Sequence, residues 1–323
     1  SDLGSNMVYG ENGKMYLNRG YNQRTFWEYD ISSNVWTAKT ITPASFYGEQ
    51  KGAYYDGHIY YLRSNNTNLF YRYDIAGDSW ETLENTPLTN NYSSINYNSD
   101  DGNFYVVRAN GQYTLWKFDP ESGSNGEWLG PEDLPATANT GADLIWNQVT
   151  GAGAYIFAAR GGGTNFYRYD ISANGWETRA SAPGALRYDT KGTFHDGYVY
   201  IPQGGNNTSF YRYDTVANSW TTLAAAPATL RYGSNASYNT DDGYIYVNRG
   251  NAQDDFYRYD IAGDSWEIID DIITAEGTSY RPYSGGRMIS DGTDLYLMPG
   301  DGESAFLKYD TGTNIWSELS RSP

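Results

Sequence analysis

The sequence predicts an all-β protein: a seven-bladed β-propeller with four antiparallel strands in each blade. Three observations predict it. The run Phe70-Tyr71-Arg72-Tyr73-Asp74-Ile75-Ala76-Gly77-Asp78-Ser79-Trp80 reads as an aromatic strand, an Asx/Gly turn and a second strand opening on tryptophan, a hairpin signature. The pattern recurs along the whole chain, with its aspartate at Asp30, Asp74, Asp119, Asp170, Asp214, Asp260 and Asp310, a spacing of 44 to 51 residues. A strand-rich period near 45 belongs to propeller-type arrays. The third observation is compositional. A hydrophobic fraction of 39% and a mean hydropathy of -0.68 suggest disorder, yet the chain holds 33 Tyr, 11 Phe and 10 Trp. Disordered chains are poor in aromatics, so this core is aromatic rather than aliphatic.

Each repeat parses into strands a to d. Strand a is built from small and aromatic residues, as in Ser234-Asn235-Ala236-Ser237-Tyr238, because crowding near the propeller axis favours small side chains. A tight turn follows: Asn12-Gly13, Asp56-Gly57, Asp101-Gly102, Asp196-Gly197, Asp242-Gly243 and Asp291-Gly292, with Gly151-Ala152-Gly153 in the fourth repeat. Asn-Gly and Asp-Gly supply the positive φ of a short hairpin turn. Strand b comes next (Tyr198-Val199-Tyr200-Ile201), then strand c, the Phe-Tyr-Arg-Tyr-Asp run. Strand d opens on Trp36, Trp80, Trp128, Trp176, Trp220, Trp266 or Trp316. A proline lies seven residues beyond that tryptophan in six repeats, at Pro43, Pro87, Pro135, Pro183, Pro227 and Pro323. Proline ends ladder pairing, as suits an outermost strand. The turn glycine precedes the strand c aspartate by 17 residues in six repeats and 18 in the last, so the b–c hairpin is fixed. Length variation falls on the d–a crossings, the longest running through Asp270, Asp271 and Arg281.

Blades packed face to face have two dry sides, so Phe70 and Tyr71 can both be buried although they point opposite ways. A fully buried tryptophan removes roughly 200 Å² from water, about 5 kcal/mol, and Trp220→Ala is expected to cost about 3–5 kcal/mol. Seven units argue for one body spanning residues 1–323, with blades near 1–43, 44–87, 88–135, 136–183, 184–227, 228–273 and 274–323. The start resembles a strand a and the end carries the strand d proline, so no blade is expected to borrow a strand. The abrupt start Ser1-Asp2-Leu3 fits a processed or excised segment.

With its strands laid out, the repeat resembles the Kelch motif. Tyr73, Tyr169, Tyr213, Tyr259 and Tyr309 match that family's strand c tyrosine, and the seven tryptophans match its strand d opening. The Gly doublet ending strand b is kept at Gly204-Gly205, follows an arginine at Gly161-Gly162, and is lost elsewhere. The resemblance implies a propeller but not one function, since Kelch propellers serve as adaptors, enzymes and surface proteins. Galactose oxidases share the propeller, but their cofactor needs a cysteine crosslinked to tyrosine, and this chain has no cysteine.

The chemistry-bearing residues are few. A net charge of -17 opposes nucleic acid and anionic membranes, and no run of 18 apolar residues is present. His58 and His195, the only histidines, both flank a–b turns in different blades. No nucleophile elbow, phosphate loop or sialidase box occurs. The repeated aspartates invite a calcium or acid–base reading. Identical placement in seven blades suits turn architecture better, each carboxylate bonding its own turn. Five Asn-x-Ser/Thr triplets carry little weight in an Asn-rich chain. Arginine is the departure: Arg19, Arg63, Arg108, Arg160 and Arg249 end strand b, and Arg187, Arg231 and Arg281 precede strand a. The b–c and d–a connections share one end of the blades, so these eight of 16 arginines would gather there. They could grip an acidic sugar, carboxylate or acidic peptide. The five on strand b suit equally a structural role, stacking on aromatics and bonding carbonyls. Arg187, Arg231 and Arg281, with Tyr188 and Tyr232, are the better ligand candidates. The expectation is a non-catalytic recognition module, extracellular or exposed on a cell or virion surface, without a cofactor or membrane insertion. It would bind a glycan or protein partner at the b–c/d–a loops. The alternatives are a structural building block of a filament, surface layer or virion appendage, and a glycan-active enzyme.

Overall fold

The computed structural model describes residues 6–10, 13–18, 23–46, 52–63, 67–87, 94–99, 101–107, 114–130, 133–135, 143–146, 155–187, 192–231, 234–283, 286–300 and 304–321. Its fold is an all-β, seven-bladed propeller: seven four-stranded antiparallel sheets, with no helix among the described residues. Two compact units form, one carrying blades 1–3 and the other blades 4–7. In the first unit the strands are Asn6–Tyr9, Lys14–Asn18, Phe26–Asp30 and Val35–Lys39 (blade 1), then Gly52–Tyr55, His58–Leu62, Phe70–Asp74 and Ser79–Thr82 (blade 2). Blade 3 follows with Ser94–Asn98, Asn103–Val107, Leu115–Asp119 and Glu127–Leu129. In the second unit blade 4 runs Asp143–Trp146, Tyr155–Ala159, Phe166–Asp170 and Gly175–Thr178, and blade 5 Thr193–His195, Tyr198–Pro202, Phe210–Asp214 and Ser219–Thr222. Blade 6 is Asn235–Tyr238, Ile245–Asn248, Phe256–Asp260 and Ser265–Ile269; blade 7 is Arg287–Ser290, Leu295–Met298, Leu307–Asp310 and Ile315–Glu318. Every sheet is made of four consecutive strands, and Asn6–Tyr9 pairs with Lys14–Asn18 in blade 1, so among the described residues no strand is lent to another blade.

Hydrogen bonds between connections fix the ends of several blades. At one end the a–b and c–d turns meet: Ile31 N–H donates to Gly13 O, Ile75 N–H to Gly57 O and Thr215 N–H to Gly197 O. At the other end strand d runs on beyond its ladder beside the b–c hairpin. Thr42, Thr86, Ala182, Ala226 and Ile272 donate their amides to Arg24, Asn68, Thr164, Thr208 and Asp254. The proline expected to stop strand d follows directly at Pro43, Pro87, Pro183 and Pro227; Ile273 stands there in blade 6.

The c–d turn carries the interaction that joins blades within each unit. All seven strand c aspartates accept a turn amide at 2.7–3.0 Å, as with Ala76 N–H on Asp74 and Ala217 N–H on Asp214. Four residues on, Asn34, Asp78, Asn174, Asn218, Asp264 and Asn314 sit at φ of 45–57°, a region that Asn and Asp tolerate best after glycine. There each accepts the strand c tyrosine hydroxyl of its own blade at 2.5–2.9 Å. Asp78, Asn218 and Asp264 also accept an amide of the preceding blade, from Thr40, Ala180 and Ala224. The carbonyls of those same three residues accept the indole N–H of Trp80, Trp220 and Trp266 at 2.7–2.8 Å. One residue thus gives both its backbone groups to the next blade.

The tryptophans are less buried than the sequence leads one to expect. Six of the seven are half-buried, because strand d is the outer edge and one side of each ring meets water. The other side packs on the strand c phenylalanine of the preceding blade: Trp80 on Phe26, Trp220 on Phe166 and Trp266 on Phe210, at 4.9–5.1 Å between ring centroids. Only Trp316, at 1% exposure, is buried outright. The core proper is the tyrosine layer of strands b and c, with Tyr60, Tyr73, Tyr200, Tyr213 and Tyr246 all at 2% exposure or less.

Candidate functional site

The b–c and d–a connections differ from blade to blade, and the candidate arginines lie among them. Arg19, Arg108, Tyr188 and Tyr232 fall outside the described residues. In the unit of blades 1–3, Arg63 follows strand b and its Nε donates to Ser45 O at 2.9 Å. Arg24, which sequence reasoning passed over, bonds Thr42 O in the same way at 2.7 Å. Both tie a hairpin to a d–a crossing.

In the unit of blades 4–7 the remaining candidates take four different settings. Arg160 Nη1 donates to Asn165 Oδ1 within its own hairpin at 3.2 Å. Arg187 is exposed; its amide donates to Gln203 O at 2.9 Å, at the end of strand b of blade 5. Gln203 is itself held by the hydroxyl of Tyr211 at 2.8 Å. Arg231 repeats the backbone placement one blade on, its amide donating to Arg249 O at 3.4 Å. Its half-exposed guanidinium has no hydrogen-bond, ionic or ring partner among the described residues. Arg249 pairs with Asp255 at 2.9 Å, and Asp255 also accepts from Tyr257. Arg281 is 64% exposed in its side chain and stands 3.9 Å from Asp254, which Ser279 also contacts.

Blade 6 therefore supplies its own carboxylates at this end. Asp254, Asp255, Asp270 and Asp271 share its hairpin and crossing, and Asp271 has its carboxyl pushed up by lost hydration and by the other three charges. The signal was in the sequence: Asn251-Ala252-Gln253-Asp254-Asp255 is acidic, where Gly204-Gly205-Asn206-Asn207-Thr208-Ser209 has no charge. The arginine-rich end is thus basic only in part.

The stacking considered for the strand b arginines is carried by strand c instead. Arg168, Arg212 and Arg258 lie over Tyr155, Tyr198 and Tyr244 at 4.0–4.8 Å. Arg72, Arg168 and Arg258 also pair with Glu81, Glu177 and Glu267 on strand d. These arginines hold a blade together and are spent on that. The histidines are engaged separately, each within its own unit. His58 Nδ1 lies 2.6 Å from Asp56 O, and the His195 ring stacks on Tyr238 at 4.0 Å. No group of three or more His, Cys, Asp or Glu side chains suited to a metal ion occurs among the described residues.

No protein-family model matches the chain, and no curated protein matches it. Solved structures do. A fungal alcohol oxidase of the AA5 family, in complex with copper, is 12% identical at a TM-score of 0.63, covering 99% of this chain and 75% of the other. YCF48 bound to D1 peptide is 11% identical at a TM-score of 0.63, covering 92% of each chain. A chain of a mitotic checkpoint complex is 12% identical at a TM-score of 0.61, covering 92% of this chain and 86% of that one. At such identities the likeness is one of fold, and the fold it supports is the seven-bladed propeller.

Proposed function

We propose that this Kelch-like propeller is a non-catalytic recognition module that binds a glycan or a protein partner at its b–c/d–a end. It would work outside the cell or on a cell or virion surface. One observation carries the reading. At the a–b/c–d end, the aspartate of every c–d turn bonds the backbone of its own turn, blade after blade. At the other end the side chains differ between blades, and Arg187, Arg231 and Arg281 stand half-exposed or exposed. Divergence on loops held by a repeated scaffold is where recognition is built.

The fold shared with a copper-bound oxidase does not bring its chemistry. This chain offers no cysteine and two histidines, one in each unit, His58 engaged at its own turn and His195 stacked on Tyr238 of the next blade, a donor set that does not fit a copper centre. YCF48 is described as bound to a peptide, which agrees with the protein-partner half of the proposal.

The test is a combined glycan and peptide array. The protein is compared with an Arg187/Arg231/Arg281 alanine triple variant and with a Val216→Glu control at the opposite end. Loss of binding in the triple variant alone is the expected result. Equal binding by all three proteins would move the site elsewhere, and loss in the control alone would place it at the c–d turns.

A further inference from the structure

We infer that Arg187 and Arg231 bracket a site for a carboxylate-bearing saccharide, seated over the b–c turn of blade 5. This rests on the reading that the b–c/d–a end binds ligand, and it names the class of ligand and the blade.

Four observations converge on that turn. The d–a crossings on both sides hold it. Arg187 N–H donates to Gln203 O at 2.9 Å, while Asn206 N–H donates to Leu230 O at 3.1 Å and Leu230 N–H to Asn207 O at 3.0 Å. Arg231 follows Leu230 directly, so one arginine leaves from each flank of residues 203–207. Secondly, the stem of Arg187 lies on the turn itself. A Cβ added at Gly205 would come within 2.3 Å of Arg187 Cδ, and Gly205 has φ of +61°. Only glycine allows that close approach.

The third observation concerns charge. Blade 6 answers its two arginines with Asp255 and Asp254, whereas the turn between Arg187 and Arg231 reads Gly204-Gly205-Asn206-Asn207-Thr208-Ser209, without a carboxylate. In a protein of net charge -17, the guanidinium of Arg231 is left half-exposed and without a hydrogen-bond, ionic or ring partner among the described residues. A ligand carboxylate would supply the forked, charge-assisted bonds it lacks.

The last observation separates saccharide from acidic peptide. Protein interfaces are anchored on buried aromatic and aliphatic side chains. The exposed large hydrophobics among the described residues are Val35, Ile41, Leu129, Val216, Ile268, Ile273 and Ile315, and none belongs to residues 203–209 or to the described part of the crossings beside them. What the turn presents is Asn206, Asn207, Thr208 and Gln203, with the hydroxyl of Tyr211 behind, groups suited to sugar hydroxyls.

Isothermal titration with three probes tests the inference: tetragalacturonate, the same oligosaccharide with its carboxyls reduced to alcohols, and tetraglutamate. Tetragalacturonate is expected to bind, more weakly as salt rises. Carboxyl reduction, R187Q and R231Q should each weaken it by roughly tenfold or more, while the melting temperature of each variant stays that of the wild type. Equal affinity for the reduced probe, or unchanged binding by both variants, overturns the inference and leaves the wider reading intact. Tighter binding of tetraglutamate replaces the saccharide with a peptide and also overturns it. Failure of all three probes refutes it, and the array comparison, which does not depend on these ligands, then decides the wider reading.

Discussion

At the Asx-turn end of the blades, Tyr73, Tyr213 and Tyr259 each bond a turn residue that also reaches the preceding blade. At the opposite end, the five candidate arginines of blades 4 to 6 and their crossings meet a side-chain amide (Arg160), a glycine turn (Arg187), a carboxylate (Arg249 and Arg281) or, for Arg231, no polar partner among the described residues. The contrast is physical. Where one sheet must dock on the next, the same geometric problem recurs in every blade and one solution serves. At the other end the crossings are anchored by the buried Phe46, Leu186 and Leu230, and the exposed side chains around those anchors are free to differ. Blade 3 shows how strictly the first end is held. It has Phe118 in place of the tyrosine and a longer turn, so the side-chain acceptor is missing. The carbonyl of Asn125 takes its place, accepting Glu84 N–H at 3.2 Å, and Glu84 O still accepts the indole of Trp128 at 2.9 Å. Gly126 is required there, since a Cβ would fall 2.0 Å from the Phe118 ring.

Blade 7 is where the docking scheme should break most visibly. Trp316 is the one fully buried tryptophan of the series, packed on Phe256 at 5.0 Å, yet its Nε1 finds no acceptor among the described residues. The crossing from blade 6 has been rerouted, and Thr274 pairs with Trp316 as a parallel bridge. Trp316→Ala is expected to cost about 4–5 kcal/mol and Trp220→Ala about 3 kcal/mol, by urea denaturation. The Phe substitutions sharpen the point. Trp220→Phe forfeits the bond to Ala180 O and should cost more than Trp316→Phe, which removes an unpaired N–H. Equal losses would mean that the indole N–H contributes nothing to joining the blades.

The next effect isolates the turn residue. Asp78→Ala removes an acceptor used by both Tyr73 and Thr40 and places alanine at φ of 46°, so a loss of about 2–3 kcal/mol is expected. Asp78→Asn keeps the shared acceptor oxygen, as Asn218 does in blade 5, and should be close to neutral at pH 7. The two differ in acid. Burial pushes the Asp78 carboxyl up, but the Tyr73 hydroxyl, the Thr40 amide and the charge of Lys39 outweigh it and hold it below its ordinary value. Its contribution is complete above the unfolded pKa near 4 and is lost as pH falls through the lower folded value. Stability measured from about pH 5 to 2 should therefore fall less steeply in Asp78→Asn than in wild type; parallel curves would show the carboxylate to be incidental.

Much of this architecture could be read directly from the chain. Seven tryptophans after seven aspartates, six residues on in every repeat but the third, gave the blade count, and Asp-Gly pairs placed the a–b turns. The aspartates' bonds to their own turns were also legible, because that chemistry is local. The reach of Asp78 to Thr40 was not, since it spans 38 residues and depends on how two sheets meet. The site was less legible still. Eight arginines were found by position, but Asp254 and Asp255, which occupy two of them, were not weighed against the neutral turn of blade 5. Half-burial of the indoles was missed because an outer strand has only one dry side.

Asp271 sharpens the comparison from the other direction. Its carboxyl is raised by reduced hydration and by Asp254, Asp255 and Asp270, so its charge works against the fold at neutral pH, a strain relieved as pH falls through the raised folded value. Asp271 is exposed, so solvent screens much of this repulsion; Asp271→Asn should stabilise the protein slightly at pH 7, with the gain shrinking at pH 4. A loss of stability at pH 7 would mean that the carboxylate is held by a favourable partner.

The smallest effect is the most telling for function. Arg231 makes no side-chain hydrogen bond, ion pair or ring contact among the described residues, and Arg187, exposed on the preceding crossing, donates its amide to Gln203 O. If the Arg231 guanidinium is free of docking duty, Arg231→Gln should shift stability by no more than about 0.5 kcal/mol, as surface changes do. Arg258→Gln should cost more, because Arg258 pairs with Glu267 at 2.8 Å and lies over Tyr244. That ordering is what a division of labour between the two ends requires. If Arg231→Gln destabilised the fold as much as Arg258→Gln, its guanidinium would be serving the scaffold, and the divergence of these loops would no longer mark a surface kept for a ligand.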